Sequence, residues 1–88
     1  MDTPTTDELR TRVLTEVLDA GRQIAHQDVD ETLDPIAAGF DSIAAMELAA
    51  LLEEKLGVDC TLEDVFDATS LAALANLLVE RIEAGGGR

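Results

Sequence analysis

The sequence predicts an all-α fold: a four-helix bundle of three long helices and one short helix, with a long loop between helices 1 and 2. Three observations predict it. Apolar residues recur at helical spacing along most of the chain, nothing alternates at period two long enough for a strand, and capping residues and glycines punctuate the periodic runs. The 88 residues make one small domain, 1–88, without an internal repeat. Its ordered core is expected over about 5–84, followed by a flexible glycine-rich tail at 85–88.

The first helix opens at Thr5-Thr6-Asp7-Glu8, a capping box in which a threonine hydroxyl and a glutamate three residues on serve the first turn. Leu9, Val13, Val17, Ala20 and Ile24 form its apolar stripe, widened by Leu14 and Leu18. Gly21 costs such a helix about 1 kcal/mol relative to alanine, so the helix is expected either to kink or end there or, as Ile24 suggests, to run through. Residues 27–41 then break the period with Asp28, Asp30, Glu31, Asp34, Pro35 and Gly39. Val29, Leu33, Ile36 and Phe40 are expected to pin this loop to the core. The second helix starts at Asp41-Ser42, carries Ala45, Leu48, Ala49, Leu52 and Leu56 on one face, and closes at Gly57. After a short connection, Thr61 caps a turn or two containing Leu62, Val65 and Phe66, with Asp64 at the third helical position. Thr69 or Ser70 opens the last helix, whose apolar face is Leu71, Leu74, Ala75, Leu78 and Ile82.

Nineteen acidic residues against six basic ones give a net charge of −13. Nucleic-acid binding requires Lys and Arg to neutralise phosphates, so no nucleic-acid partner is expected, and anionic membrane surfaces repel the chain likewise. No apolar run nears the roughly 18 residues of a membrane span. Asp2, Asp7 and Glu8 occupy the start, where a signal segment would be basic and then apolar. A single cysteine makes no internal disulfide, which fits a reducing compartment and an expected cytoplasmic location. So short a chain buries only about 60 % of its unfolded surface, leaving no room for a deep enzyme pocket between lobes.

Chemistry concentrates at Gly39-Phe40-Asp41-Ser42-Ile43, where the loop meets the second helix. Gly39 frees the backbone for a tight approach, and Asp41 can accept from amides of the first turn. Ser42 then projects at a helix start, where orphan N–H groups and the positive dipole end favour an attached anion. A hydroxyl displayed there suits a phosphate ester. Taken alone, an Asp-Ser pair before an apolar run is most often only a cap. No base is tied to Ser42 by sequence: His26 is the only histidine, and the setting is not the Gly-x-Ser-x-Gly elbow of hydrolases. Asp28-Val29-Asp30-Glu31-Thr32 looks like the start of a calcium loop. It has Leu33 where the sixth position needs glycine and Gly39 where the twelfth needs glutamate, so no metal site is expected. Cys60 lacks a neighbouring Cys or His and reads as a semi-buried apolar filler.

The motif at residues 39–43, with Met46-Glu47-Leu48, Glu53-Glu54, Val65-Phe66-Asp67 and Leu71-Ala72-Ala73-Leu74, resembles the carrier-protein family. These are the acyl and peptidyl carrier proteins of fatty-acid, polyketide and nonribosomal-peptide synthesis. The resemblance covers roughly residues 33–82. It implies that Ser42 receives 4′-phosphopantetheine from coenzyme A through a separate phosphopantetheinyl transferase, and that Asp41 supports the helix start and transferase recognition. The cofactor's thiol, rather than Cys60, would hold acyl intermediates as thioesters, and the domain itself would be a non-catalytic monomer. Ile43, Met46 and Ala50 lie about a third of a turn from the leucine stripe, with Glu47, Glu53 and Glu54 beside them. The resemblance makes this the docking face for basic surfaces of acyl-loading, condensing and tailoring enzymes.

Within the family, Phe40 between Gly39 and Asp41 is like polyketide-synthase-type acyl carriers, whereas Ile43 after the serine is common in the peptidyl class. The polyketide-type acyl carrier is the reading, with an aminoacyl or peptidyl carrier as the alternative. Ala37-Ala38 stands where many members have leucine before the glycine, and Ile36 is expected to supply that anchor. An unmodified acidic helical interaction domain, in which Ser42 only caps, is the alternative of another class.

Overall fold

The computed structural model describes residues 6–25 and 28–85. Four helices follow in order: α1 Thr6–Ala25, α2 Ser42–Leu56, α3 Leu62–Asp67 and α4 Leu71–Glu83. Among the described residues there is no strand. No helix among them is long and apolar enough to cross a membrane. The expected bundle of three long helices and one short one is present, with a loop described over residues 28–41 between α1 and α2. The capping box at Thr5, residue His26 and the tail after Gly85 lie outside the described residues.

Helix α1 packs against both α2 and α4, and α3 packs on α2. Val13, Val17 and Ala20 meet Ala45, Leu48, Ala49 and Leu52 of α2 and Leu71, Leu74, Ala75, Leu78 and Val79 of α4 in one buried cluster. Leu9, Leu14, Leu18 and Ile24 border it half-buried. Gly21 neither kinks nor ends α1. A Cβ there would stand 3.4 Å from Leu71 Cδ1 and 3.5 Å from Val29 Cγ2. The missing side chain instead marks the place where α1, the loop and α4 close on one another.

The helix ends are set locally. Gly57 adopts φ 66°, closing α2 with its N–H donated to the carbonyl of Glu53. Thr61 and Asp64 form a reciprocal capping box at α3, and Ser70, not Thr69, caps α4 by accepting from the amide of Ala73 at 3.0 Å. Two further amides of the α4 start donate outward to the loop: Leu71 N–H to Leu33 O and Ala72 N–H to Glu31 O, both at 2.9 Å. The loop is thus stitched to a helix about forty residues further along the chain.

Two expectations for the loop need correction. Val29 and Phe40 are buried and Leu33 is half-buried, but Ile36 is 58 % exposed and pins nothing. Pro35, fully buried, fills the core position instead. The reason is a helical turn over residues 34–39. Asp34 Oδ1 accepts from the amides of Ile36 (2.9 Å) and Ala37 (3.3 Å), and Pro35 O accepts from Phe40 N–H at 2.9 Å. That turn points Pro35 and Phe40 inward and Ile36 outward. Gly39 ends it at φ 92° with nothing within 4 Å of a would-be Cβ. Its glycine serves a left-handed backbone, not a close approach.

Candidate functional site

The site is built on the step from that turn into α2. Asp41 leaves the helix in an extended conformation, φ −90° and ψ −175°, and its Oδ1 accepts from Ala44 N–H at 2.8 Å. Its own carbonyl accepts from Ala45 N–H at 2.9 Å. The cap therefore serves the Ala44 and Ala45 amides and leaves those of Ser42 and Ile43 at the open, positive end of the helix dipole. Ser42 is the first residue of α2 and is exposed. Its hydroxyl makes no hydrogen bond to any described residue. Nothing among the described residues is placed to activate it as a nucleophile.

The other expected site residues lie along the exposed side of α2. Ile43 is 65 % exposed and Met46 53 %, so neither belongs to the core. Ala50, Glu47, Glu53 and Glu54 are exposed as well. Ile36 joins Ile43 and Met46 as the third large exposed apolar side chain; its place in an aperiodic loop gave no signal of that.

The carboxylates are not equivalent. Glu53 Oε2 accepts from Cys60 N–H at 3.1 Å and so ties the α2–α3 connection. Glu47 and Glu54 lie instead along a groove of about 440 Å³ shared with Gln23 and Ile24 of α1 and with Ala50 and Leu51.

Below the connection lies a cluster that the sequence alone does not announce. Arg81 of α4 donates from Nη1 to Asp64 Oδ2 (2.5 Å) and from Nη2 to Asp64 Oδ1 (3.0 Å), and Nη1 also reaches the carbonyl of Asp59 at 2.9 Å. Hydrogen bonding to Arg81 holds the Asp64 carboxyl below its ordinary value and raises Arg81 in turn. Between these groups Cys60 is buried more deeply than expected, at 3 % exposed. Burial, with Asp64 next, pushes its thiol up to about 12. It stays protonated at neutral pH and is no thiolate nucleophile. Among the described residues, no group of three or more His, Cys, Asp or Glu could hold a metal ion.

Comparison with known proteins gives two findings. The family described as the phosphopantetheine attachment site matches residues 11–78. The chain is similar to nonribosomal peptide synthetase agiA of Aspergillus flavus, 47 % identical over 49 residues. That similarity covers 56 % of the chain and only 1 % of the synthetase. No solved structure matches.

Proposed function

The chain belongs to the phosphopantetheine attachment-site family of carrier domains, and we propose that Ser42 is the residue to which its 4′-phosphopantetheine is attached. Family membership brings the covalent cofactor, modification by a phosphopantetheinyl transferase and work with synthase partners. The observation that carries the assignment to Ser42 is its place in the structure: exposed, first in α2, with an unengaged hydroxyl behind the Asp41 cap. When bound, the cofactor supplies a thiol that holds cargo as a thioester. The chain's own residues do the rest. Asp41 fixes the first turn, so the serine is presented at a constant angle, and the open amide end favours the phosphate. Ile36, Ile43, Met46 and Ala50 offer apolar contact to partners, and Glu47, Glu53 and Glu54 attract their basic surfaces. The domain performs no bond-making of its own.

For the cargo, similarity to a nonribosomal peptide synthetase supports an aminoacyl or peptidyl group. Phe40 in Gly-Phe-Asp-Ser supports the acyl cargo of polyketide-type synthesis. We favour the first, because it rests on 49 aligned residues rather than on one.

Incubation with coenzyme A, Mg²⁺ and a broad-range transferase is expected to add one phosphopantetheine to the intact mass, and Ser42→Ala to abolish the gain. No gain in the wild type, or a gain that persists in the variant, overturns the assignment. Loading the holo form with a panel of adenylation enzymes and acyltransferases then decides the cargo.

A further inference from the structure

Between α1 and α2 the chain is fixed to α4 at Leu33, whose carbonyl accepts from Leu71 N–H at 2.9 Å. From that fixed point nine residues lead to Ser42. Two of them, Pro35 and Phe40, are buried and anchor the segment to the core. The four between them, residues 36–39, are all exposed, so burial does not set their course. Backbone hydrogen bonds close the turn from Ala38 onward: Ala38 N–H donates to Asp34 O at 2.8 Å, Gly39 N–H to Ile36 O at 3.0 Å and Phe40 N–H to Pro35 O at 2.9 Å. The amides of Ile36 and Ala37 come too early in the turn for a partner of that kind. Both are taken by one atom, Asp34 Oδ1, at 2.9 and 3.3 Å. Asp34 thus joins the fixed point to the turn, and the turn delivers Asp41 and Ser42.

We propose that Asp34 is a positioning residue for modification of Ser42: by holding the first amides of the 34–39 turn, its side chain fixes where the serine stands relative to α4. The proposal rests on the reading of Ser42 as the attachment site. Asp34 acts through the turn rather than on the serine. What the turn needs is an acceptor oxygen, not a negative charge, and asparagine keeps that oxygen. This separates Asp34 from acids that attract basic surfaces, whose effect disappears with the charge. Asp30 provides the internal comparison. Its Oδ1 closes a similar turn, accepting from Thr32 N–H at 2.9 Å and from the Thr32 hydroxyl at 2.6 Å, but it lies on the far side of the fixed point. Loosening Asp30 therefore leaves the path from Leu33 to Ser42 as it was.

The test follows phosphopantetheinylation of the full chain by intact mass, with coenzyme A, Mg²⁺ and a broad-range transferase, over a range of carrier concentrations. Wild type, Asp34→Ala, Asp34→Asn and Asp30→Ala are compared at a temperature where circular dichroism shows all four folded. Asp34→Ala is expected to lower kcat about fivefold, the factor that corresponds to losing one cap, with KM for the carrier unchanged. Asp34→Asn is expected to restore the wild-type kcat, and Asp30→Ala to match wild type. In ¹⁵N spectra the amide signals of Asp41, Ser42 and Ile43 are expected to move in Asp34→Ala and to return in Asp34→Asn. An unchanged kcat in Asp34→Ala, an Asn variant as slow as the Ala variant, an equal loss in Asp30→Ala, or unmoved Ser42 signals each overturn the proposal. Failure of the attachment reading looks different: the wild type itself gains no phosphopantetheine, or Ser42→Ala still gains it, and the positioning role falls with it.

Discussion

At the scale of single residues, the presentation of Ser42 rests on the exposed carboxylate of Asp41 more than on the serine's own surroundings. Asp41 accepts from Ala44 N–H at 2.8 Å and thereby keeps Ser42 at the head of α2. Asp41→Ala removes this cap and is expected to cost about 1 kcal/mol of stability. Chemical denaturation measures that cost. The same variant is expected to slow phosphopantetheinylation by more than the lost stability explains, because the first turn frays at low thermodynamic cost. A modification rate equal to that of the wild type would show that the cap matters only for folding. Much of this site was legible beforehand, since a cap, a serine and a glycine within four residues are local features. The role of Gly39 is not legible there, because a sequence names the glycine without its φ of 92°. The same holds for Ile36: in a loop without a period, only the turn over 34–39 decides which of Pro35 and Ile36 faces inward.

At the scale of elements, the helices and their ends followed from spacing and capping, but the ties between them did not. Arg81 and Asp64 are 17 residues apart on different helices, and each already has a local explanation, one in the last turn of α4 and the other as half of a capping box. Nothing in sequence says that they meet. Their pairing anchors the short α3 to α4, while the apolar contacts of α3 run chiefly to α2. Asp64 is held below its ordinary value of 3.8, first by the hydrogen bond from Arg81. Since the folded value lies below the unfolded one, the stabilisation is fully present above 3.8 and is lost as pH falls through the folded value. Asp64→Asn is expected to cost about 1–2 kcal/mol at neutral pH. Its difference from wild type should stay constant into mild acid and vanish only in strong acid. Urea titrations across that range check it, and a gap that closes near neutrality would refute it. The α1–α2 groove was equally hidden, because Gln23 and Ile24 belong to another helix and only packing brings them beside Glu47 and Glu54.

At the scale of the molecule, burial and charge oppose each other. Leu52 is fully buried and Met46 is 53 % exposed. Leu52→Ala is expected to cost about 2–5 kcal/mol, a large part of a stability of about 5–15 kcal/mol. Met46→Ala is expected to leave the melting temperature within a degree or two and to weaken transfer by partners. Equal melting losses in both would refute the division of α2 into a core face and a partner face. Against the core stands the net charge of −13. Thirteen of the acids lie between Gln23 and Glu80 with one base, Lys55, and that base is taken by Glu16. Self-repulsion of this kind loosens a compact state, so raising NaCl from 10 to 500 mM, which shrinks the screening length from about 30 Å to a few, is expected to raise the melting temperature by several degrees. Partner reaction rates should fall over the same range. A flat melting temperature would mean the acids are too dispersed to matter. The stitching of Leu33 and Glu31 to the first amides of α4 also sets an order of events during synthesis. Ser42 leaves the ribosome well before Leu71 and Ala72, yet two of the ties that hold the loop delivering it form only when those residues arrive. A nascent chain halted ahead of Leu71 carries the serine without these two ties, so the modification proposed at Ser42 is expected to follow completion of the domain.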